Sequence, residues 1–138
     1  MATVEESIRE EEDGTLSFGN FKLTEKKKVS DFEHGGDTYK VKTFAEITKL
    51  EKNEAFLYES YPGTAVFHFE ESEDGIMFDM DAENDAQITL GLEENTKYAV
   101  IINGEYAETI STGVGGKLSF SAASVEDELT NVEIKRLD

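Results

Sequence analysis

Hydrophobic and polar positions alternate over short stretches of this chain, which is the pattern of half-buried β-strands. The clearest stretch places Ile76, Phe78 and Met80 on one face. The same alternation recurs farther along the chain and assigns these residues to the core: Ile88, Leu90, Leu92, Tyr98, Val100, Ile102, Leu118, Phe120, Ala122, Val132 and Ile134. A period of two puts each set on one side of a sheet.

Turn-forming residues separate these stretches at regular spacing. Asn103-Gly104 is one example, and it supplies the positive φ angles that tight hairpin turns need. No long helical stretch lies between the strands. The pattern therefore predicts one all-β domain over residues 1–138, an antiparallel β-sandwich for which a jelly roll is one arrangement.

Two segments do not follow the strand pattern. Thr3 and Glu6 have the spacing of a capping box, which predicts a short helix or arm within residues 1–13. Residues 44–52 also place their apolar side chains near one helical face. A strand that turns at Lys52 fits residues 44–52 equally well, so both structures stay open there.

The segment 64–69 is the most apolar predicted strand and carries bulk on both faces. Strict alternation places Phe67 and Phe69 on one face and Val66 and His68 on the other. We interpret it as a central strand of the sandwich rather than a subunit contact. His68 is then expected to be buried and hydrogen-bonded.

Composition narrows the choice of partners. The 138 residues include 31 acids and 13 bases, which gives a formal net charge of −18. Such a field repels nucleic acid and anionic membranes, so neither is expected as a partner. The absence of cysteine excludes disulfides and thiolate metal sites. The acidic start of the chain lacks a secretory signal pattern, which predicts a cytoplasmic protein.

The charge is distributed unevenly along the chain. Residues 1–69 hold 14 acids and 9 bases, whereas residues 70–138 hold 17 acids and 4 bases. The bases include Lys26-Lys27-Lys28 and, on one face of a predicted strand, Lys40 and Lys42. A basic edge and an acidic end suit head-to-tail association into a homo-oligomer. The ordinary explanation is that charge keeps the surface dissolved.

Four carboxylates within seven residues are the candidate metal ligands: Asp79, Asp81, Glu83 and Asp85. An EF-hand loop that starts at Asp79 would lack the required glycine and the final carboxylate, so that motif is excluded. A weak, flexible Ca²⁺ site at a loop tip is the one cofactor that the sequence leaves open. Unpaired surface acids are the ordinary alternative.

The residues do not assemble a recognisable catalytic motif. Asp79 and Asp81 lie about 7 Å apart if they share a strand, a separation that glycosidases use, but nothing marks an apolar pocket that would raise a carboxyl pKa. His34 and His68 have no metal-ligand or triad spacing. We therefore predict no catalytic residue.

Exposed aromatic side chains are the candidates for sugar binding, because sandwich modules stack sugar rings on such platforms. The chain has no Trp. Tyr58, Tyr61 and Tyr106 are the candidate ligand-binding residues, and Tyr61 is the first choice because it precedes Pro62 at a strand end. A tyrosine beside a turn more often packs with its hydroxyl in water.

Two resemblances bear on the function. Residues 97–136 run Lys-Tyr-Ala-Val-Ile-Ile-Asn-Gly, then Gly-Gly-Lys-Leu-Ser-Phe-Ser, then Val-Glu-Ile, which resembles the C-terminal β-sandwich modules of polysaccharide-active enzymes. Other segments look like those of small bacterial proteins that carry the label endosialidase: Asp13–Asn20, Tyr39–Phe44, Tyr58–Val66 and Ala86–Leu92. The label implies glycoside activity.

The residues differ from what sialidases use. Sialidases bind the substrate carboxylate with several arginines, whereas this chain has only Arg9 and Arg136. No catalytic residue is carried over from the resemblance. The sequence thus predicts a non-enzymatic, soluble binding or self-associating structural protein. A carbohydrate-binding module and a glycoside-active enzyme are the alternatives.

Overall fold

Short strands and tight turns follow one another along the whole computed structural model, which describes residues 2–125 and 127–137. The strands are β1 Ile8–Glu10, β2 Leu16–Phe18, β3 Lys27–His34, β4 Asp37–Phe44, β5 Ile47–Lys52, β6 Ala55–Tyr61, β7 Ala65–Ser72, β8 Gly75–Asp81, β9 Ala86–Gly91, β10 Lys97–Ile102, β11 Glu105–Ser111, β12 Lys117–Ala122 and β13 Thr130–Arg136. In this part of the chain, no helix is long and apolar enough to cross a membrane.

The strands form two sheets that pack face to face. Sheet A has the order β1-β2-β7-β8-β13-β10-β11, and sheet B has the order β12-β9-β6-β5-β4-β3. Neighbouring strands are antiparallel in both sheets. The predicted antiparallel β-sandwich is confirmed. From β8 onward the chain passes repeatedly between the sheets, as it does in jelly rolls.

The predicted alternation places the expected side chains in the core between the sheets. Ile76, Phe78 and Met80 on β8 are at most 3% exposed. The core residues predicted on β9, β10, β12 and β13 join the same cluster, except that Ile102 is partly buried at its rim, as is Leu92 just after β9. Edge-on aromatic contacts fill the centre, with the ring centroids of Phe18 and Tyr58 5.2 Å apart.

The predicted N-terminal helix is wrong. After a turn, the segment forms the short strand β1, which pairs with β2. Its backbone groups bond to the β2 region: the Val4 amide donates to the Gly19 carbonyl, and the Gly19 amide donates to the Ser7 carbonyl. A single helical turn is marginal in isolation, so these longer-range bonds decide the structure.

The ambiguous segment 44–52 is a strand. Residues Ala45 and Glu46 form a tight turn after β4, and β5 then pairs with β4 on one side and β6 on the other. Thr48 and Leu50 face the core and are 0% exposed. Pairing on both sides gives this segment more backbone bonds than an isolated helical turn would have.

A bulge in β7 overturns the predicted facing of its aromatic residues. The register with β8 shifts between Phe67 and Glu70, and His68 adopts a φ of 54°. Because one extra residue enters the strand, Phe69 joins Val66 in the main core while Phe67 points away from it. The strict alternation predicted for this strand is therefore wrong.

The outward face of β7 is covered by the N-terminal part of the chain. Val4 and Phe21 pack with Ala65 and Phe67 in a second small apolar cluster. The strand lies inside sheet A, between β2 and β8, as the sequence predicts. This covering accounts for the bulk on both faces of the strand without a subunit contact.

His68 is not buried, contrary to the prediction. Its side chain is 52% exposed, and its Nδ1 lies 3.1 Å from the Asp13 carboxylate. The bulge is the cause. Without it, strict alternation would place His68 on the same face as Val66, which packs in the core between the sheets. The imidazole therefore stands on the outer surface of sheet A.

A buried network of hydroxyl groups ties sheet B to the loops at one end of the sandwich. The Thr48 hydroxyl donates to the Thr64 carbonyl at 2.8 Å and accepts from the Thr64 amide at 3.1 Å. The Thr43 hydroxyl lies 2.8 Å from that of Thr48 and accepts the Asn20 amide at 2.9 Å. This network fixes the turn that follows Tyr61.

Candidate functional site

The three tyrosines proposed for sugar binding do not meet. Tyr58 is fully buried, its hydroxyl lies 2.8 Å from Thr64 Oγ1, and burial raises the pKa of Tyr58 above its usual value. It therefore offers no exposed ring. Tyr106 is 66% exposed on sheet A, and Tyr61 is 54% exposed at the end of a sheet B strand. They lie on opposite sheets.

Two of the four candidate metal ligands have other partners. Asp79 accepts a hydrogen bond from the Asn131 side-chain amide at 3.0 Å. Asp81 is only 5% exposed and accepts the Ala2 amide at 2.7 Å. Because each carboxylate is hydrogen-bonded to a different group, the two do not point together toward one metal position.

The other two lie in the turn between β8 and β9. Glu83 is exposed, and Asp85 accepts the Ser124 amide at 3.1 Å. Within residues 2–125 and 127–137, no group of three or more acidic or histidine side chains is arranged to hold a metal ion. The structure therefore does not assemble the four carboxylates into a calcium site.

A histidine–carboxylate pair stands on the outer surface near β2 and β7. His68 Nδ1 lies 3.1 Å from both Asp13 and the Thr15 hydroxyl. Hydrogen bonds from the Thr15 hydroxyl and amide, above all, hold the pKa of Asp13 below its usual value. In the described residues no hydroxyl is hydrogen-bonded to the other ring nitrogen, so the pair lacks the nucleophile that a catalytic triad needs.

The outer face of sheet B instead gathers lysines from three neighbouring strands. Lys28 on β3 lies opposite Lys42 on β4, which lies opposite Lys49 on β5. We call the following set the lysine face: Lys26, Lys28, Lys40, Lys42 and Lys49. Tyr39, Val41 and Thr43 alternate with the β4 lysines and face the core, so the pleat itself directs the lysines outward.

Among the described residues, the lysines of this face form no close ion pair with an acid. In the described part of the chain, the ion pairs closer than 4.0 Å involve Arg9, His34, Lys52 and His68 and no lysine of the face. Burial of the ammonium group and the neighbouring ammonium groups lower the pKa of Lys42. Like charges directly opposite each other destabilise a sheet.

Protection of a sheet edge explains only part of this arrangement. Lysines on an edge strand discourage pairing with other chains, which accounts for Lys28 on β3. Lys42 and Lys49 lie on β4 and β5, which already have a strand on each side. Protection of an edge therefore does not account for lysines in the middle of the sheet.

Aromatic side chains border the lysines on the same face. The Lys26 ammonium lies 5.8 Å from the centre of the Phe44 ring, within cation–π range. Phe44 pairs with Ile47, and Tyr61 lies on the next strand. The turn after Tyr61 packs tightly, since a Cβ on Gly63 would approach the Phe44 carbonyl to 2.1 Å.

Acidic residues bound the face on two sides. Glu51 lies opposite Lys40, and Glu59 lies opposite Lys49. A concavity of about 560 Å³ beyond Lys40 is lined by Asp31 among other polar residues, with Glu51 at its wall. These acids confine the positive region to β3, β4 and the near side of β5.

Sequence reasoning located part of this face. It singled out Lys40 and Lys42 on one strand face and the run at Lys26. It missed Lys49, because that residue lies in the segment that fitted helix and strand equally. The register between β4 and β5, which no single sequence provides, is what completes the row.

Comparison of the chain with family models, curated proteins and solved structures finds no match. The geometry of the two sheets is therefore the basis for a functional assignment. Within the described residues, its most distinctive feature is a group of lysines without a close ion pair, beside the rings of Phe44 and Tyr61, on a protein with a net charge of −18.

Proposed function

We propose that the protein is a non-enzymatic binding protein whose lysine face takes an acidic polysaccharide. The proposal rests on the row of Lys28, Lys42 and Lys49 across three strands. In the described part of the chain, no carboxylate lies within 4.0 Å of their ammonium groups. A sugar chain with regularly spaced carboxylates would supply the missing counter-charges. Lysine ammonium groups suit such a ligand because each acts as a compact point charge.

The aromatic rings beside the lysines favour a carbohydrate as the ligand that carries the negative charges. Tyr61 is half exposed, and Phe44 is partly exposed beside Lys26. Aromatic rings offer apolar faces on which sugar rings stack, and the hydroxyl of Tyr61 offers a polar end. Ligand sites commonly combine a few charged groups with such aromatic surface.

The net charge of −18 opposes the approach of an acidic polysaccharide as it opposes that of nucleic acid, but nearer charges govern contact at the lysine face. At physiological ionic strength the Debye length is about 8 Å, so the acids on the far sheet act weakly at the lysine face. The nearest charges dominate there. Repulsion at longer range slows the encounter at low salt and favours a ligand that fits the confined positive region.

The direct test is binding of polygalacturonate, measured by isothermal titration calorimetry. We expect wild-type protein to bind and the double variant Lys42→Glu/Lys49→Glu to bind about tenfold or more weakly, because each reversal replaces an attraction by a repulsion. Dextran, a neutral polymer, is the comparison ligand and is expected to give no signal with either protein.

A second double variant distinguishes the effect of the lysine face on affinity from the effect of net charge. Lys97→Glu/Lys135→Glu makes the same change in net charge on exposed lysines of sheet A. We expect it to leave the affinity within about twofold of wild type. Equal losses in the two double variants, or no binding by the wild-type protein, would overturn the proposal.

A neutral carbohydrate is the second candidate ligand, and the exposure of Tyr61 favours it. In that case Tyr61→Ala would abolish binding of a soluble β-glucan, and Tyr106→Ala on the opposite sheet would not. Our proposal predicts the reverse order of importance: Tyr61→Ala weakens polygalacturonate binding only a few-fold, less than the lysine reversals do. Affinity electrophoresis on gels with either polymer measures both.

A glycoside-active enzyme receives no support from the contacts of the candidate acids. Asp79 is engaged by Asn131, and Asp81 by the Ala2 amide. Both carboxylates are thus engaged in hydrogen bonds, and Asp81 is only 5% exposed. Turnover of a glycan that was lost in Asp79→Asn would restore this hypothesis.

A further inference from the structure

The edge strand β12 lacks the features that protect the other edges of the two sheets. In sheet A, β1 has only three residues, and β11 carries Glu105 and Glu108. In sheet B, β3 carries lysines and a register shift between Val29 and Phe32. The six residues of β12 pair with β9 without a shift, and Lys117 is their single charge. Short strands, charges and bulges are the usual protections.

The free backbone groups of β12 belong to its exposed residues. The Leu92 amide donates to the Gly116 carbonyl at 2.8 Å, so by alternation the backbone groups of Leu118 and Phe120 also point to β9 rather than to solvent. The side chains of Ser119 and Thr89 are 2.8 Å apart, which is typical of the closer, non-hydrogen-bonded pairs of an antiparallel ladder. The amides and carbonyls of Lys117, Ser119 and Ser121 are therefore left for the edge.

We infer that β12 is a self-association edge and pairs antiparallel with β12 of a second copy. A twofold axis at Ser119 places Lys117 of each copy opposite Ser121 of the other. This register puts no like charges opposite each other and lets three exposed residues per copy form backbone bonds. The same arrangement at β11 would bring Glu108 of the two copies together, and at β3 the register shift between Val29 and Phe32 interrupts a regular ladder. An isologous contact of this kind closes as a dimer.

The pairing would join the two copies of sheet B into one continuous sheet with both lysine faces on the same side. Nine strand spacings of about 4.8 Å separate the two copies of β4, or about 43 Å. If the proposed function holds, a long acidic polymer can contact both faces, and the dimer binds it more tightly than a short oligomer. The pairing itself does not depend on that function.

Salt gives this association a distinctive signature. Two copies that each carry a charge of −18 repel one another, and the repulsion is screened as the ionic strength rises. Pairing of β12 edges therefore strengthens with salt. Head-to-tail contact between the lysine face and an acidic surface would weaken with salt, so the two modes give opposite trends.

Sedimentation equilibrium of the full chain tests the inference. Over ~10 µM to ~1 mM protein, we expect the weight-average mass to rise from 15.4 kDa toward twice that value. The rise is expected to be larger at about 0.5 M than at about 0.05 M salt. Lys42→Glu/Lys49→Glu should dimerise as wild type does, which keeps this test separate from that of polymer binding.

Two variants at the axis and one control complete the test. Ser119→Pro removes the outward amide, which an edge strand tolerates, and Ser119→Lys places two ammonium groups opposite each other. Both are expected to stay monomeric while keeping a cooperative melting transition, and Ser119→Thr is expected to dimerise. A monomeric wild type, association that weakens with salt, or unchanged dimerisation in both Ser119→Pro and Ser119→Lys would overturn the inference.

Discussion

Replacement of Phe18 by alanine is expected to lower the free energy of unfolding by about 3–5 kcal/mol, the range for loss of a buried phenylalanine. Phe18 is 0% exposed, and its ring lies edge-on to those of Tyr58 and Phe69 at centroid distances of 5.2 and 5.5 Å. Its side chain joins the aromatic residues of both sheets. The neighbouring rings are rigid and cannot close the resulting cavity, which places the expected loss at the upper end of that range.

Urea unfolding followed by circular dichroism measures this loss. Met77→Ala is the control, because Met77 is 44% exposed on the outside of sheet A and its truncation should change stability by no more than about 0.5 kcal/mol. A loss below about 1 kcal/mol for Phe18→Ala would contradict the packing of the two sheets on this ring.

The second large effect is expected from Thr48→Val, at about 2–4 kcal/mol. Valine has nearly the same shape but cannot bond to the Thr64 amide, the Thr64 carbonyl or the Thr43 hydroxyl, all of which contact Thr48 Oγ1. These groups are buried, so water does not replace the lost partner. Leaving buried polar groups unsatisfied costs more than the net contribution of a satisfied bond.

Thr89→Val is the matched control for this substitution. Within the described residues, the Thr89 hydroxyl has one hydrogen bond, to Ser119 on the exposed face, so its loss should change stability by about 0.5 kcal/mol or less. In the double variant Thr43→Val/Thr48→Val, the losses should be smaller than additive because the two hydroxyls bond to each other. Equal effects of Thr48→Val and Thr89→Val in thermal melts would contradict the buried network.

Alternation of side chains predicted the sandwich because each strand has one buried face. Ile76, Phe78 and Met80 illustrate why this works: burial of one face requires a period of two, and that period is visible in the sequence. The predictions that were wrong concern segments in which contacts with distant residues outweigh the local sequence pattern. The first residues lead into β1 because the Val4 amide donates to Gly19 and the Gly19 amide donates to Ser7, contacts that a capping-box spacing cannot reveal.

The candidate site was less predictable than the fold. Tyr61 was correctly expected to lie exposed at a strand end, whereas Tyr58 follows the alternation that buries Ser60 beside it. The bulge at His68 breaks a period that the sequence gives no reason to interrupt. The row through Lys42 and Lys49 depends on strand register, which is a property of the folded sheet.

Chemical-shift mapping by NMR tests the recognition role of the lysine face most directly. During titration of labelled protein with polygalacturonate oligomers, we predict that the largest backbone amide shifts cluster at Lys28, Lys42, Lys49 and Tyr61. Dextran should leave the spectrum unchanged. Shifts concentrated on the outer face of sheet A, or an unperturbed spectrum at saturating oligomer, would contradict the account.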